Sequence, residues 1–103
     1  MRELTHEERV AWAAGIHDAD GTAYRTGRRP PRVVLAMSDE DTVRKFADVV
    51  GGRIYGPYEN SNGVKLSWKC HVEGQERVEQ LYELFRPFIS QRRCEQFEKV
   101  IAA

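Results

Sequence analysis

The chain has 103 residues, 41% hydrophobic and 31% charged, with 16 Lys and Arg against 16 Asp and Glu for a formal net charge of zero. That length suits one domain over residues 1–103 with one core, and the composition excludes a disordered or membrane-spanning chain. No apolar run nears the roughly 18 residues of a transmembrane helix, residues 1–4 do not open a signal peptide, and Cys70 and Cys94 are too few for a disulfide framework, so an intracellular, reduced protein is expected.

Thr5-His6-Glu7-Glu8 reads as a capping box, opening a helix through Val10, Trp12, Ala13, Ala14 and Ile16 that ends near residues 18–21. Two short strands follow, over 22–26 and 32–37, around the turn Gly27-Arg28-Arg29-Pro30-Pro31. A second helix starts at Ser38-Asp39-Glu40-Asp41, with Ser38 as cap and acids at the positive end of the dipole. Val43, Phe46, Ala47 and Val50 repeat along it at helical spacing before Gly51-Gly52 stops it. Residues 53–58 form a third strand and 59–63 a hairpin loop. Over 64–72 the side chains alternate: Val64, Leu66, Trp68, Cys70 and Val72 face one way, Lys65, Ser67, Lys69 and His71 the other. A third helix is expected over 75–85 with Val78, Leu81, Tyr82 and Phe85 inward. Pro87 interrupts it, and Ser90 caps a last helix carrying Cys94, Phe97, Val100 and Ile101. This order predicts an α+β domain, a four-stranded antiparallel sheet with helices on one face.

The end of the first helix is where chemistry concentrates. Ala11, Gly15 and Ala19 fall at i, i+4 and i+8, a stripe of small side chains along which two helix backbones can approach closely. The helix then ends in Asp18 and Asp20, although acids are electrostatically unfavourable at a helix C-terminus. A divalent cation reverses that penalty, and two copies packed along the stripe would bring their acids together around a hard metal such as Mg²⁺.

The stretch Ala13-Ala14-Gly15-Ile16-His17-Asp18-Ala19-Asp20-Gly21 resembles the motif that names the LAGLIDADG homing endonucleases. The element order also resembles that family's αββαββα core, so the likeness spans nearly the whole chain. A second similarity lies in Phe85-Arg86-Pro87-Phe88-Ile89-Ser90-Gln91-Arg92, where the family has a basic active-site residue a few positions beyond a Pro-Phe pair. The resemblance implies that Asp20 binds the catalytic Mg²⁺ (or Mn²⁺), with Ala19 at the same site, and that Arg92 is catalytic. It implies that Asp39, opening the second helix, orders the hydrolytic water. Asp18 would help to cap the helix and place the site. A single motif copy implies a homodimer, with Ala11, Trp12, Gly15, Asp18 and Ala19 at its interface. Its target would be a palindromic or pseudo-palindromic duplex, cut by metal-assisted phosphodiester hydrolysis without a nucleotide cofactor or a membrane. His17 departs from the motif, which is normally apolar there.

Each feature also has a plain structural reading. The small stripe could pack on the chain's own sheet, Asp20-Gly21 could be a solvated turn, and Arg92 and Asp39 could be ordinary helix-start residues. His17 reads as a packed helix residue rather than a ligand, and both cysteines as core thiols.

The zero net charge weighs at first against a polyanionic partner, but it is unevenly spread. Residues 22–37 and 52–72 hold seven bases (Arg25, Arg28, Arg29, Arg32, Arg53, Lys65, Lys69) and one acid, Glu59. A sheet with that polar face outward can lie in a major groove. Tyr24, Thr26, Arg28, Arg32, Arg53, Tyr55, Lys65, Ser67, Lys69 and His71 are the expected contacts with double-stranded DNA, while Arg25 is at best a phosphate contact. The expectation is a homodimeric, metal-dependent double-strand DNA endonuclease. Its rivals are a cleavage-inactive DNA-binding regulator or RNA-splicing maturase of the same fold, and an unrelated α+β interaction module.

Overall fold

Helix α1 (His6–Asp20) begins at the capping box: the Thr5 hydroxyl accepts the Glu8 amide at 3.1 Å, and the Glu8 carboxylate accepts the Thr5 amide at 2.9 Å. In this computed structural model, which describes residues 3–59, 63 and 65–103, the chain then runs β1 (Gly21–Tyr24), β2 (Arg32–Met37), α2 (Glu40–Val50), β3 (Arg53–Glu59), β4 (Leu66–Glu73) and α3 (Gln75–Phe85). A single 3₁₀ turn (Arg86–Phe88) leads into α4 (Gln91–Ala102). The expected loop residues 60–62 and the strand position Val64 lie outside the described residues.

The four strands form one antiparallel sheet in the order β1-β2-β4-β3. Alternate residues on one face (Ala23, Val33, Leu35, Cys70, Val72) are buried beneath the helices. From the helical side come Val10, Ala13 and Ala14 of α1, Val43 and Phe46 of α2, Val78 and Phe85 of α3, and Phe97 of α4. Phe46, Phe85 and Phe97 are fully buried, each worth about 1.5–3 kcal/mol of apolar transfer. The α+β class and the one-sided helical layer are as the hydrophobic pattern predicts.

Four local expectations are corrected. Asp39, not Ser38, caps α2; its carboxylate accepts the Thr42 amide at 3.3 Å. Both residue types cap well, and it is Asp39 whose extended backbone leads into the first turn. Strand β1 closes at Tyr24, because Arg25 turns towards the helices: its guanidinium donates to the Val100 carbonyl at 2.9 Å and to Gln75 Oε1 at 2.6 Å. Arg25 therefore ties the β1–β2 loop to the end of α4, with each of its guanidinium nitrogens bonded within the chain. Along β4, burial falls off towards the N-terminal end: Val72 and Cys70 are buried, Trp68 is half-buried and Leu66 is exposed, although all four share a face. Finally, β4 continues to Glu73, which adds a second acid to the sheet region.

Candidate functional site

The motif helix ends in a tightly built corner. His17 is fully buried, with ring centroids 5.6 Å from Phe85 and 5.1 Å from Phe97. Neither ring nitrogen has a hydrogen-bond partner among the described residues. Burial, assisted by the nearby Arg93 charge and opposed by Asp18, pushes its pKa down to about 4. His17 is thus a neutral core residue. Gly21 follows from it: a Cβ there would lie 2.3 Å from His17 Nδ1. The Gly21 backbone is extended (φ −84, ψ 170), so Asp20-Gly21 is a helix-to-strand junction rather than the turn that Asp-Gly suggests.

The two motif acids part company here. Asp18 Oδ1 accepts the Ser90 amide at 2.8 Å, and this bond, joined by the Ser90 hydroxyl, holds the Asp18 carboxyl below its usual range. Asp20, two residues on, is exposed and has no hydrogen bond or ion pair among the described residues. Arg93 completes the corner. It is buried, its Nε donates to the Asp18 carbonyl at 3.1 Å, and its guanidinium also meets Gln96 Oε1 at 3.1 Å. Gln96 Oε1 in turn accepts the Ala23 amide at 3.1 Å, so α4 clamps the exit of α1 and the entry of β1 together. A buried guanidinium stands in for the basic side chain that favours a helix C-terminus. The family resemblance points to Arg92 and not to its neighbour Arg93. Position 93 lies four residues before Phe97 and seven before Val100, on the inward stripe of α4, and that spacing is the sequence signal for its burial.

Arg92 is exposed on the first turn of α4, close enough for its charge to help lower the Asp18 pKa. Asp39 lies at the same end of the sheet, since Gly21 pairs with Leu35, four residues before it. Asp20, Arg92 and Asp39 therefore belong to one end of the molecule. On the outer side of α1, Ala11 and Trp12 are half-buried, while Gly15 and Ala19 are exposed. The Lys45 amine sits over the Trp12 ring, 4.3 Å from its centroid. Nothing lies within 4 Å of where a Gly15 Cβ would be, so the small stripe packs on none of the described residues at that point.

The uncovered face of the sheet presents its side chains in rows set by the register. Thr22, Val34, His71 and Arg53 form one row; Ala36, Lys69 and Tyr55 form the next. Tyr24, Arg32 and Glu73 make a third, in which Arg32 pairs with Glu73 at 2.9 Å and reaches the Tyr24 hydroxyl at 3.4 Å. The Tyr55 and His71 rings touch, 4.6 Å between centroids, and the Lys69 amine lies 5.2 Å from the centre of the Tyr58 ring. Burial beside Arg32 lowers the His71 pKa. Thr26 and Arg28 are exposed at the β1–β2 tip, Lys65 precedes β4 and Ser67 pairs with Tyr58. With Glu73 on this face and Arg25 turned away, it is less basic than the segment count suggests.

The fold matches those of solved homing endonucleases. I-CvuI bound to a DNA target superposes with a TM-score of 0.72 at 17% identity, over 94% of this chain and 66% of its own. The archaeal intron-encoded I-Vdi141I, also bound to DNA, gives 0.68 at 13% identity, over 95% and 69%. The LAGLIDADG meganuclease I-CpaMI on uncleaved DNA gives 0.63 at 16% identity, over 90% and 37%. No family model and no curated protein matches the sequence. The chain has a LAGLIDADG-type fold, and it spans about two thirds or less of the length of several of these structures.

Proposed function

We propose that this chain is a double-strand DNA endonuclease that acts as a homodimer at a pseudo-palindromic site. The observation that carries it is the pairing of an uncovered sheet face rich in basic and hydrogen-bonding side chains with an exposed Asp20 carboxylate, unpartnered among the described residues, at one end of that sheet. The solved proteins of this fold named above hold DNA, which supports the same reading.

Asp20 fits Mg²⁺ by its chemistry, an exposed hard oxygen donor with no competing partner among the described residues. Those residues contain no group of three or more His, Cys, Asp or Glu placed to hold a metal ion. Two copies packed along Ala11, Gly15 and Ala19 would supply the second Asp20. Bound there, Mg²⁺ would activate water and stabilise the leaving oxygen. Asp18 and Arg93 hold the end of α1 so that the next carboxylate faces outward. Arg92 offsets negative charge building on the scissile phosphate, a preorganised electrostatic contribution. Asp39 has one carboxylate oxygen on the Thr42 amide and the other available to orient a water. Tyr24, Tyr55, Lys69 and His71 would meet the groove, with Arg28, Arg53 and Lys65 on phosphates.

The test uses duplexes selected from a randomised library. Wild-type protein should bind and, with Mg²⁺, cut both strands. Asp20→Asn should keep the binding and lose cleavage by about 100-fold or more, a loss of roughly 2.7 kcal/mol in barrier lowering. Wild-type binding without cutting would move the assignment to a DNA-binding regulator or maturase.

A further inference from the structure

A cleft of about 290 Å³ opens at the β3 edge of the sheet, lined by Arg53, Tyr55, His71, Glu73 and Arg77. Arg77 comes from the first turns of α3, outside the sheet, and no strand pattern identifies it. It is exposed, and one of its terminal nitrogens donates to the Gly51 carbonyl at the end of α2. That bond fixes the guanidinium and leaves its remaining N–H donors free. Neither Arg53 nor Arg77 is ion-paired among the described residues, whereas Glu73 is already committed to Arg32 at 2.9 Å. Two guanidiniums with no carboxylate partner among the described residues, a tyrosine hydroxyl and a carboxylate already paired with Arg32 leave the cleft with an excess of positive charge and planar donors.

We propose that this cleft binds a phosphate group of the DNA backbone, gripped by Arg53 and Arg77; this rests on the DNA-binding reading above. Two guanidinium forks suit a tetrahedral oxyanion better than a base edge, which one fork satisfies. Position supports the same choice. The cleft sits on β3, three inter-strand steps of about 4.8 Å from β1 and the Asp20 corner. The protein would hold the backbone there, beside the bases that the central strands read. Room is ample, a water taking about 30 Å³. Arg77 is accordingly a positioning residue for the duplex and carries no sequence information.

Binding of a selected duplex and of an unrelated duplex, each measured across a salt series, tests the assignment. Neutralising one phosphate contact makes the log–log salt slope shallower by about 0.9. Arg77→Gln should show that change on both duplexes and leave the ratio of their affinities unchanged, while Arg77→Lys should recover most of the slope. Arg53→Gln, whose side chain bonds to nothing among the described residues, should change the slope equally and covers the case in which Arg77→Gln fails to fold. Wild-type binding with unaltered slopes in both variants would overturn the cleft assignment alone, as would a shifted affinity ratio, which signals base contact. Failure of the wild type to bind any duplex would overturn the DNA-binding reading and the cleft with it.

Discussion

Ala13 and Ala14 on one side of α1 are fully buried, whereas Gly15 and Ala19 on the other side are open to solvent. Both sides are built from small residues, yet they serve different ends. Inside, small side chains let the helix backbone come close to the sheet, and the close approach leaves His17 wedged against Phe85, Phe97 and the Gly21 backbone. Outside, they leave a surface that ends at Asp20, which has no partner among the described residues. A stripe of small residues therefore does not say by itself what it packs against; the inner one is spent on this chain's own core, and the outer one is left exposed.

The largest effect that would break this contrast concerns His17. Its folded-state pKa of about 4 lies below the ordinary value of 6.5, so the unfolded chain takes up a proton first as pH falls. Stability should be level above about pH 6.5 and should decline towards pH 4, by roughly 3 kcal/mol for this residue. Denaturant melts across that range check it, and His17→Leu should flatten the curve and raise stability at pH 5. A slope that survives in His17→Leu would show that another group is responsible.

Gly21→Ala comes next. Its Cβ would stand 2.3 Å from His17 Nδ1, so overpacking should cost about 1–3 kcal/mol. In the double variant with His17→Ala the part of that cost due to the ring should disappear, leaving only the 3.0 Å approach to the residue 17 Cα, a coupling that a double-mutant cycle reads directly. Additive losses would mean that the ring is not what excludes a side chain at position 21.

The smallest effect sharpens the outer face. Gly15→Ala meets nothing within 4 Å among the described residues, so it should raise monomer stability by about 1 kcal/mol through helix propensity. Gly15→Leu should be equally harmless to the monomer but should shift sedimentation from dimer to monomer if two copies meet here. An unchanged profile from a dimeric wild type would place the interface elsewhere.

Much of this architecture is legible in local pattern. The span of α3, the Thr5 capping box, the Ser90 cap and the alternation along β4 all come from periodicity and side-chain hydrogen bonding within a few residues. The motif acids and the Pro-Phe segment are likewise visible, because their spacing along the chain is itself the signal. What depends on distant elements is not visible. Arg25 reads as a surface base until α4 offers it the Val100 carbonyl, and the Arg32–Glu73 pair exists only because β2 and β4 are adjacent. The neighbours Arg92 and Arg93 are chemically identical, yet the rotation of α4 against α1 buries one and exposes the other. The same holds for Asp18 and Asp20. Composition and periodicity alone determined the class of fold, the element order and the presence of acids at the end of α1. Tertiary packing decided which acid is tied down and which has no partner among the described residues, because the groups that hold Asp18, the Ser90 amide and the Arg93 guanidinium, come from a segment more than 70 residues away in sequence.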